Sequence, residues 1–161
     1  MSATTLKISP KQELIDSLRQ LGQLYVSDLK YIPEDKLDAV PMGSARTPIS
    51  FTAECAGFNI LVSRILKGET VGFPSKEEGQ AQEAKITSYE DCRRAILDSV
   101  EVLADTIADM GDEDLGKIVV APWGEEKTAL RMGHVCAMHL MYHDGQINYI
   151  QALYGDAEVH W

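Results

Sequence analysis

Four stretches of the chain carry apolar residues at intervals of three and four, the spacing that places side chains on one face of an α-helix. The first begins after Ser9-Pro10, where a serine N-cap precedes a proline at the first helical position, and it ends before Pro33. The second begins with the same signal at Thr47-Pro48 and ends at Gly68. Both segments therefore predict amphipathic helices of several turns.

The third and fourth stretches begin at threonines. Thr87, with Glu90 three residues later, has the spacing of a capping box and predicts the start of the third helix. Thr128 should cap the fourth helix, which covers Leu130 to Tyr154 and is closed by Gly155. Four long amphipathic helices predict an all-α four-helix bundle, an architecture that builds metal sites from side chains on facing helices.

The connections between these helices are long. Residues 33–46 contain two prolines and should form an ordered link between the first two helices. Residues 67–87 are polar and show no periodic apolar face, so no helix or strand is predicted there. The β-branched run from Leu115 to Gly124 predicts an extended segment or at most one short strand. With 161 residues, the chain should form a single domain over residues 1–161.

The composition disfavours some classes of partner and indicates a cellular location. A formal net charge of −10 argues against a nucleic acid or an anionic membrane as partner, because both require a basic surface. The first residues lack the apolar run of a signal peptide, and no later segment reaches the length of a membrane span, so a cytoplasmic location is expected. Cys55, Cys92 and Cys136 have no metal-type spacing and should be buried, reduced core residues.

The candidate chemistry begins with two histidines on the fourth helix. His139 and His143 are four residues apart, so their imidazoles lie one turn apart on one helix face and can share a metal ion. The same spacing also occurs on helices that bind no metal. Leu140 stands where the zinc-protease motif has a glutamate, which excludes that motif. Any third ligand must come from elsewhere in the chain.

Glu54 is the residue best placed to be that ligand. It lies among small and apolar residues in the first half of the second helix, where it either reaches solvent or faces inward and needs a cation or a proton. In a bundle it can meet His139 and His143 and form a set of two histidines and one carboxylate. Such a set leaves open positions on zinc, iron or nickel. We expect the three side chains to converge within about 5 Å of a common point.

Other polar residues of the fourth helix flank this pair. Gln146, one turn beyond His143, should lie at the pocket edge, where it hydrogen-bonds a ligand, orients the histidine or simply packs. Tyr142 and Asp144 should lie at the bundle edge or at an interface. His134 points about 140° away from His139 around the helix and should be exposed. Trp123 should either cover the pocket mouth or anchor its loop.

The sequence resembles a known family through two segments. The pattern His139-Leu-Met-Tyr-His143-Asp-Gly-Gln146-Ile and the segment from Thr47 to Asn59 are similar to the DinB-like (YfiT-like) metalloenzymes. The resemblance implies a four-helix bundle with long connections, in most members a homodimer. It also implies a divalent metal held by one histidine of the second helix and two of the fourth. Some members are thiol-dependent transferases or isomerases that act with low-molecular-weight thiols.

This sequence departs from the family pattern at one ligand, because its second helix contains no histidine and Glu54 stands in the equivalent position. Two functions remain open. The first is a metal-dependent enzyme, a thiol-dependent transferase or a hydrolase, that uses a metal-activated thiol or water at Glu54, His139 and His143. The second is a non-catalytic, stress-related dimeric binding or structural protein that has lost the metal chemistry.

Overall fold

A computed structural model of the chain describes residues 8–160, which are mainly helical. The described part contains five α-helices and one two-stranded antiparallel sheet. Their bounds are α1 Pro10–Leu29, α2 Pro48–Leu66, α3 Lys76–Glu83, α4 Tyr89–Asp109, β1 Ile118–Val120, β2 Glu126–Thr128 and α5 Ala129–Leu153. Short 3-10 turns occupy Glu34–Lys36 and Asp112–Gly116. The predicted helical class is confirmed, whereas α3 and the second strand were not predicted.

Side-chain caps start the long helices. Ser9, Thr47 and Thr128 each accept a hydrogen bond from a backbone N–H in the first turn of α1, α2 and α5, as predicted. The predicted capping box at Thr87 is wrong by one residue. Ser88 caps α4, because Asp91 accepts both the N–H and the hydroxyl of Thr87 and thereby holds Thr87 outside the helix.

The connections contain more structure than their sequence predicts. The segment expected to be a loop contains α3, which begins with a reciprocal capping box between Ser75 and Glu78. None of its residues is buried, so it leaves no apolar period in the sequence. The strand prediction located β1 but missed β2, whose Glu-Lys-Thr sequence contains only one strand former, Thr128. Gly124, with φ +91°, makes the turn between the two strands.

One cluster of buried apolar side chains joins the four long helices. The helix α2 packs mainly against α4, and α1 packs against both α5 and α4. Gly133 permits the close approach of α1 to α5, because a Cβ atom there would lie 2.5 Å from a methyl carbon of Leu14. Cys55, Cys92 and Cys136 are buried and unpaired, as predicted.

The helix α2 is the most apolar of these elements. By length and composition alone it would pass as a membrane span, with a mean hydropathy of 1.3, which the sequence analysis did not anticipate. Buried residues make up 56% of that window, and they contact α4 and α5 inside the protein. A core helix of this kind passes the same test, so the finding gives only weak evidence for a membrane.

A buried carboxyl pair connects α1 to α5. Asp28 is 0% exposed and Asp144 is 6% exposed, and each has one oxygen without a hydrogen-bond partner. Asn148 donates to Asp28 at 2.8 Å and to the backbone carbonyl of Asp144 at 3.0 Å. Burial, followed by the charge of Asp28 and a hydrogen bond with it, raises the pKa of Asp144 to about 7. Asp144 therefore faces α1 in the interior, whereas the sequence predicted a position at the bundle edge or at an interface.

Replacement of Asp144 by asparagine should change the pH dependence of stability. The folded protein keeps the Asp144 proton up to about pH 7, whereas the unfolded chain releases it near 3.8, the ordinary pKa of an aspartic acid side chain. Between these values the folded state binds more protons, so the free energy of unfolding falls as the pH rises. Asp144→Asn removes this loss. Relative to the variant, the wild type should lose on the order of 2–4 kcal/mol between pH 4.5 and pH 8 in urea denaturation. If the unfolding free energies of wild type and variant changed in parallel with pH, the raised pKa of Asp144 would be contradicted.

Candidate metal centre

Two histidines of α5 and one glutamate of α2 meet at the inner side of these helices. The Nε2 atom of His139 lies 3.1 Å from Oε1 of Glu54 and 3.1 Å from Nε2 of His143. The Nε2 atom of His143 lies 3.4 Å from the same glutamate oxygen. The structure thus brings together the three residues that the sequence singled out, with the polar atom of each directed at the other two.

These separations suit a shared metal ion. Ligand atoms held about 2.0 to 2.2 Å from one ion lie roughly 3.0 to 3.5 Å from one another. The three distances of 3.1, 3.1 and 3.4 Å fall in that range. Moreover, two imidazole nitrogens at hydrogen-bond distance require a proton or a cation between them, because two lone pairs repel. The donor set therefore fits a divalent ion on geometry and on chemistry.

Gln146 fixes the tautomer of His143. The side chain of His143 is buried, and its Nδ1 atom lies 2.6 Å from the amide oxygen of Gln146. A carbonyl oxygen accepts, so Nδ1 carries the proton and donates it. The lone pair of His143 is consequently on Nε2, directed at Glu54 and His139. Of the roles considered for Gln146, the structure supports that of orienting the histidine.

Aromatic rings hold the two imidazoles in place. The ring of Phe58 contacts His139 edge-on at a centroid distance of 5.0 Å, and the ring of Phe51 stacks on His143 at 4.9 Å. The Nδ1 atom of His139 is buried and has no hydrogen-bond partner. Hence all the hydrogen bonding of His139 is concentrated at Nε2, on the side of Glu54.

Glu54 is a charged ligand candidate with a second partner. A hydrogen bond from His139, followed by the nearby imidazole of His143, lowers the pKa of Glu54 far below its usual range, against the effect of partial burial, and Arg46 lowers it further. Oε1 is directed at the histidines, while Oε2 forms an ion pair with Arg46. A carboxylate that is ionised at neutral pH and half-exposed offers an oxygen ligand without a deprotonation cost.

Cys55, predicted from the sequence only as a core residue, is a further ligand candidate. Its sulfur and one nitrogen each of His139 and His143 lie within 4.8 Å of one another, so these three residues could hold a metal ion. Burial, with a contribution from the charge of Glu54, raises the pKa of the Cys55 thiol. The thiol thus resists ionisation, in contrast to Glu54. Its position next to Glu54 was the one indication in the sequence that Cys55 could lie at the site. Cysteine spacing motifs do not include a lone cysteine beside a glutamate.

A cavity of about 540 Å³ opens beside these residues. Its lining includes His139, Glu54 and Arg46, together with Phe58 and Trp123. Trp123 lines the cavity. It is also anchored within its loop, because its indole N–H donates to Glu125 at 3.0 Å. The segment 73–83, which contains α3, contributes part of the wall, so the long connection between α2 and α4 does contact the pocket.

The remaining residues of α5 that the sequence singled out lie away from the three polar side chains. His134 is exposed, as predicted. Tyr142 is exposed and touches His143 only with the edge of its ring, at a centroid distance of 5.1 Å. Asp144 faces α1, as described above. Neither Tyr142 nor Asp144 contributes a polar contact to Glu54 or the histidines among the described hydrogen bonds.

Comparison with known proteins identifies the family. A search of curated proteins found no match. The family model described as the DinB superfamily matches residues 14–147, which include most of α1, all of α2 and α4, and both His139 and His143 of α5. This match covers well over half of the chain. On that basis the chain belongs to the DinB superfamily.

Proposed function

We propose that this protein is a metal-dependent enzyme in which Glu54, His139 and His143 bind one divalent transition metal ion. The observation that supports the proposal is the convergence of three ligand atoms at 3.1, 3.1 and 3.4 Å. Zinc, nickel and iron all accept imidazole and carboxylate ligands. Three protein ligands leave at least one position for water or substrate, which is the arrangement of catalytic sites.

The proposed reaction is the attack of a thiol or a water molecule on a small substrate, as in a thiol-dependent transferase or a hydrolase. A bound ion of this kind lowers the pKa of a coordinated thiol or water toward neutrality. The protein supplies the rest. Gln146 keeps the lone pair of His143 directed inward, Arg46 holds the free oxygen of Glu54, and Phe51 and Phe58 exclude solvent from the imidazole faces.

The family assignment supports further proposals about architecture and partners. The four long helices form a bundle of the family type, and the active form is a homodimer in the cytoplasm. The acidic charge of −10 disfavours nucleic acids and anionic membranes as partners. A low-molecular-weight thiol is the co-substrate that the family resemblance suggests.

A non-catalytic protein is the second candidate, and one observation favours it. The chain from Gln146 through His143 and His139 to Glu54 can close its hydrogen bonds with a proton on each histidine and no metal. Arg46 then balances the charge of Glu54. In that case the polar cluster stabilises the interior of a dimeric binding or structural protein. Metal content separates the two candidates.

The two histidines should be required for metal binding. Protein produced without a histidine tag, then incubated with zinc, nickel or iron and desalted, should retain close to one equivalent of one ion by mass spectrometry. The double variant His139→Ala, His143→Ala should lose it, since two of three ligands are gone. His134→Ala is the matched control, because His134 is exposed on the same helix, and it should retain the ion.

The same proteins give two further readouts. A chelator should lower the melting temperature of the wild type and of His134→Ala, and should leave the double variant unchanged. Turnover in a screen of low-molecular-weight thiols with electrophilic substrates, and of esters and amides, should require the loaded metal. Absence of metal from all three proteins after incubation, with no effect of chelator, would favour the non-catalytic candidate.

Glu54 and Cys55 should differ as third ligands. We expect Glu54→Ala to weaken metal binding by about a hundredfold or more, whereas Cys55→Ala should change it by no more than a few-fold, because the Glu54 carboxylate is ionised and the buried thiol is not. Cobalt-loaded wild-type protein should show no sulfur-to-cobalt charge-transfer absorption. A strong near-ultraviolet band that disappears in Cys55→Ala would instead assign the third ligand to the cysteine.

The proposed dimer should use the outer face of α5. Exposed apolar residues recur along this face at helical spacing: Met138, Met141, Tyr142, Tyr149 and Leu153. Sedimentation velocity should give about twice the monomer mass of 17.8 kDa. Met141→Glu with Tyr149→Glu should give monomers, because buried charges oppose association. Ile118→Glu, at an exposed position on β1, is the control and should remain dimeric. A monomeric wild type would refute the proposed dimer.

A further inference from the structure

The cavity beside Glu54 and His139 has a size and a position that favour a small molecule as its occupant. It measures about 540 Å³, within the usual range of small-molecule sites. Gly57 and Ala53, one turn apart on α2, form part of its floor. A Cβ atom at Gly57 would meet no other atom within 4 Å, so this position faces open space and leaves room for a ligand.

Aromatic side chains form the walls of this cavity. Phe58 lies between His139 and Trp123, and its ring is inclined by only 21° to the indole of Trp123 at a centroid distance of 6.4 Å. Phe73, from the segment before α3, lines the cavity as well. Phe73 is 58% exposed and Trp123 is 42% exposed. Both therefore present aromatic surface that a planar ligand would cover.

The charged groups at the cavity disfavour an anionic ligand. Arg46 is the cationic residue in its described lining, and most of its donors are already used: it contacts Ser50 through Nε and Nη2 and Glu54 through Nη1. Its guanidinium also packs over the ring of Phe51 at 5.2 Å. Glu54 and Glu83 add negative charge to the lining. In the metal-free protein, an anion would have to compete with Glu54 for Arg46 and would be repelled by the carboxylates.

We infer that this cavity binds an uncharged, planar aromatic molecule, held between Phe58, Trp123 and Phe73 with its reacting atom next to His139. The inference rests on the proposed function for the statement that the ligand is a substrate. The binding itself depends only on the aromatic walls and on the charge of the lining. The two can therefore fail separately.

A pair of fluorescent probes with a common skeleton tests the inference. N-phenyl-1-naphthylamine is uncharged, and 8-anilinonaphthalene-1-sulfonate carries the same rings with a sulfonate. With metal-free protein, we expect the uncharged probe to bind with enhanced fluorescence and at least about tenfold more tightly than the sulfonate. Trp123→Ala should weaken its binding by about tenfold, since one aromatic wall is lost. Phe73→Ala should also weaken it.

Matched controls identify the binding site. Ile118→Ala removes an exposed apolar side chain from the same hairpin as Trp123 and should leave probe binding unchanged. Binding that responds equally to both substitutions, or tighter binding of the sulfonate, would overturn the inference. The double variant His139→Ala, His143→Ala should still bind the uncharged probe. A protein that retains no metal but binds the probe in a Trp123-dependent manner would refute the proposed enzyme and leave the aromatic site standing.

Discussion

The burial of polar side chains on α5 is the constraint on which the site depends. His143, Asp144 and Gln151 are almost fully buried on this one helix. A buried polar group without a partner costs free energy of the order of a lost hydrogen bond, and a buried charge costs more. His143 avoids this cost at both ring nitrogens, through Gln146 and His139. Asp144 keeps one oxygen without a hydrogen-bond partner, and its raised pKa beside Asp28 favours the neutral acid.

These partners lie on two sides of the helix. Toward α2, the imidazoles meet Glu54, which is held in turn by Arg46. Toward α1, Asp144 meets Asp28, which accepts from Asn148. The two polar groups thus bracket α5 at the same level. Rotation of α5 would separate both sets at once, so the buried contacts fix its orientation as well as its depth. A site that depends on distances near 3 Å gains from such a double anchor.

Local signals explain which features of the fold were predictable. Ser9, Thr47 and Thr128 cap their helices through hydrogen bonds that span three residues, so the sequence contains all the information needed. The helix α3 and the strand β2 lack large apolar side chains and left no periodic signal. Asp144 was misplaced for a different reason. Its partner Asp28 is 116 positions away in the chain, and no local pattern reveals such a pair.

The sequence predicted the polar residues of the candidate site but not the side chains around the cavity. The spacing of His139 and His143 and the unusual setting of Glu54 were visible in the sequence, and these are the residues that converge. The roles of Cys55 and Phe73 depend on how α2 and the segment before α3 fold around the cavity. Both side chains are ordinary in sequence, since a buried cysteine and a loop phenylalanine need no special explanation.

A glutamate in place of the family's histidine changes the charge of the proposed centre. Three neutral imidazoles would leave the full charge of a divalent ion, whereas Glu54 neutralises half of it. An ion with a smaller net charge polarises a bound water or thiol less strongly. Arg46 opposes this effect, because its ion pair with Oε2 withdraws electron density from the carboxylate that Oε1 would present to the metal. In the proposed enzyme, Arg46 is therefore the residue that adjusts the strength of the carboxylate ligand.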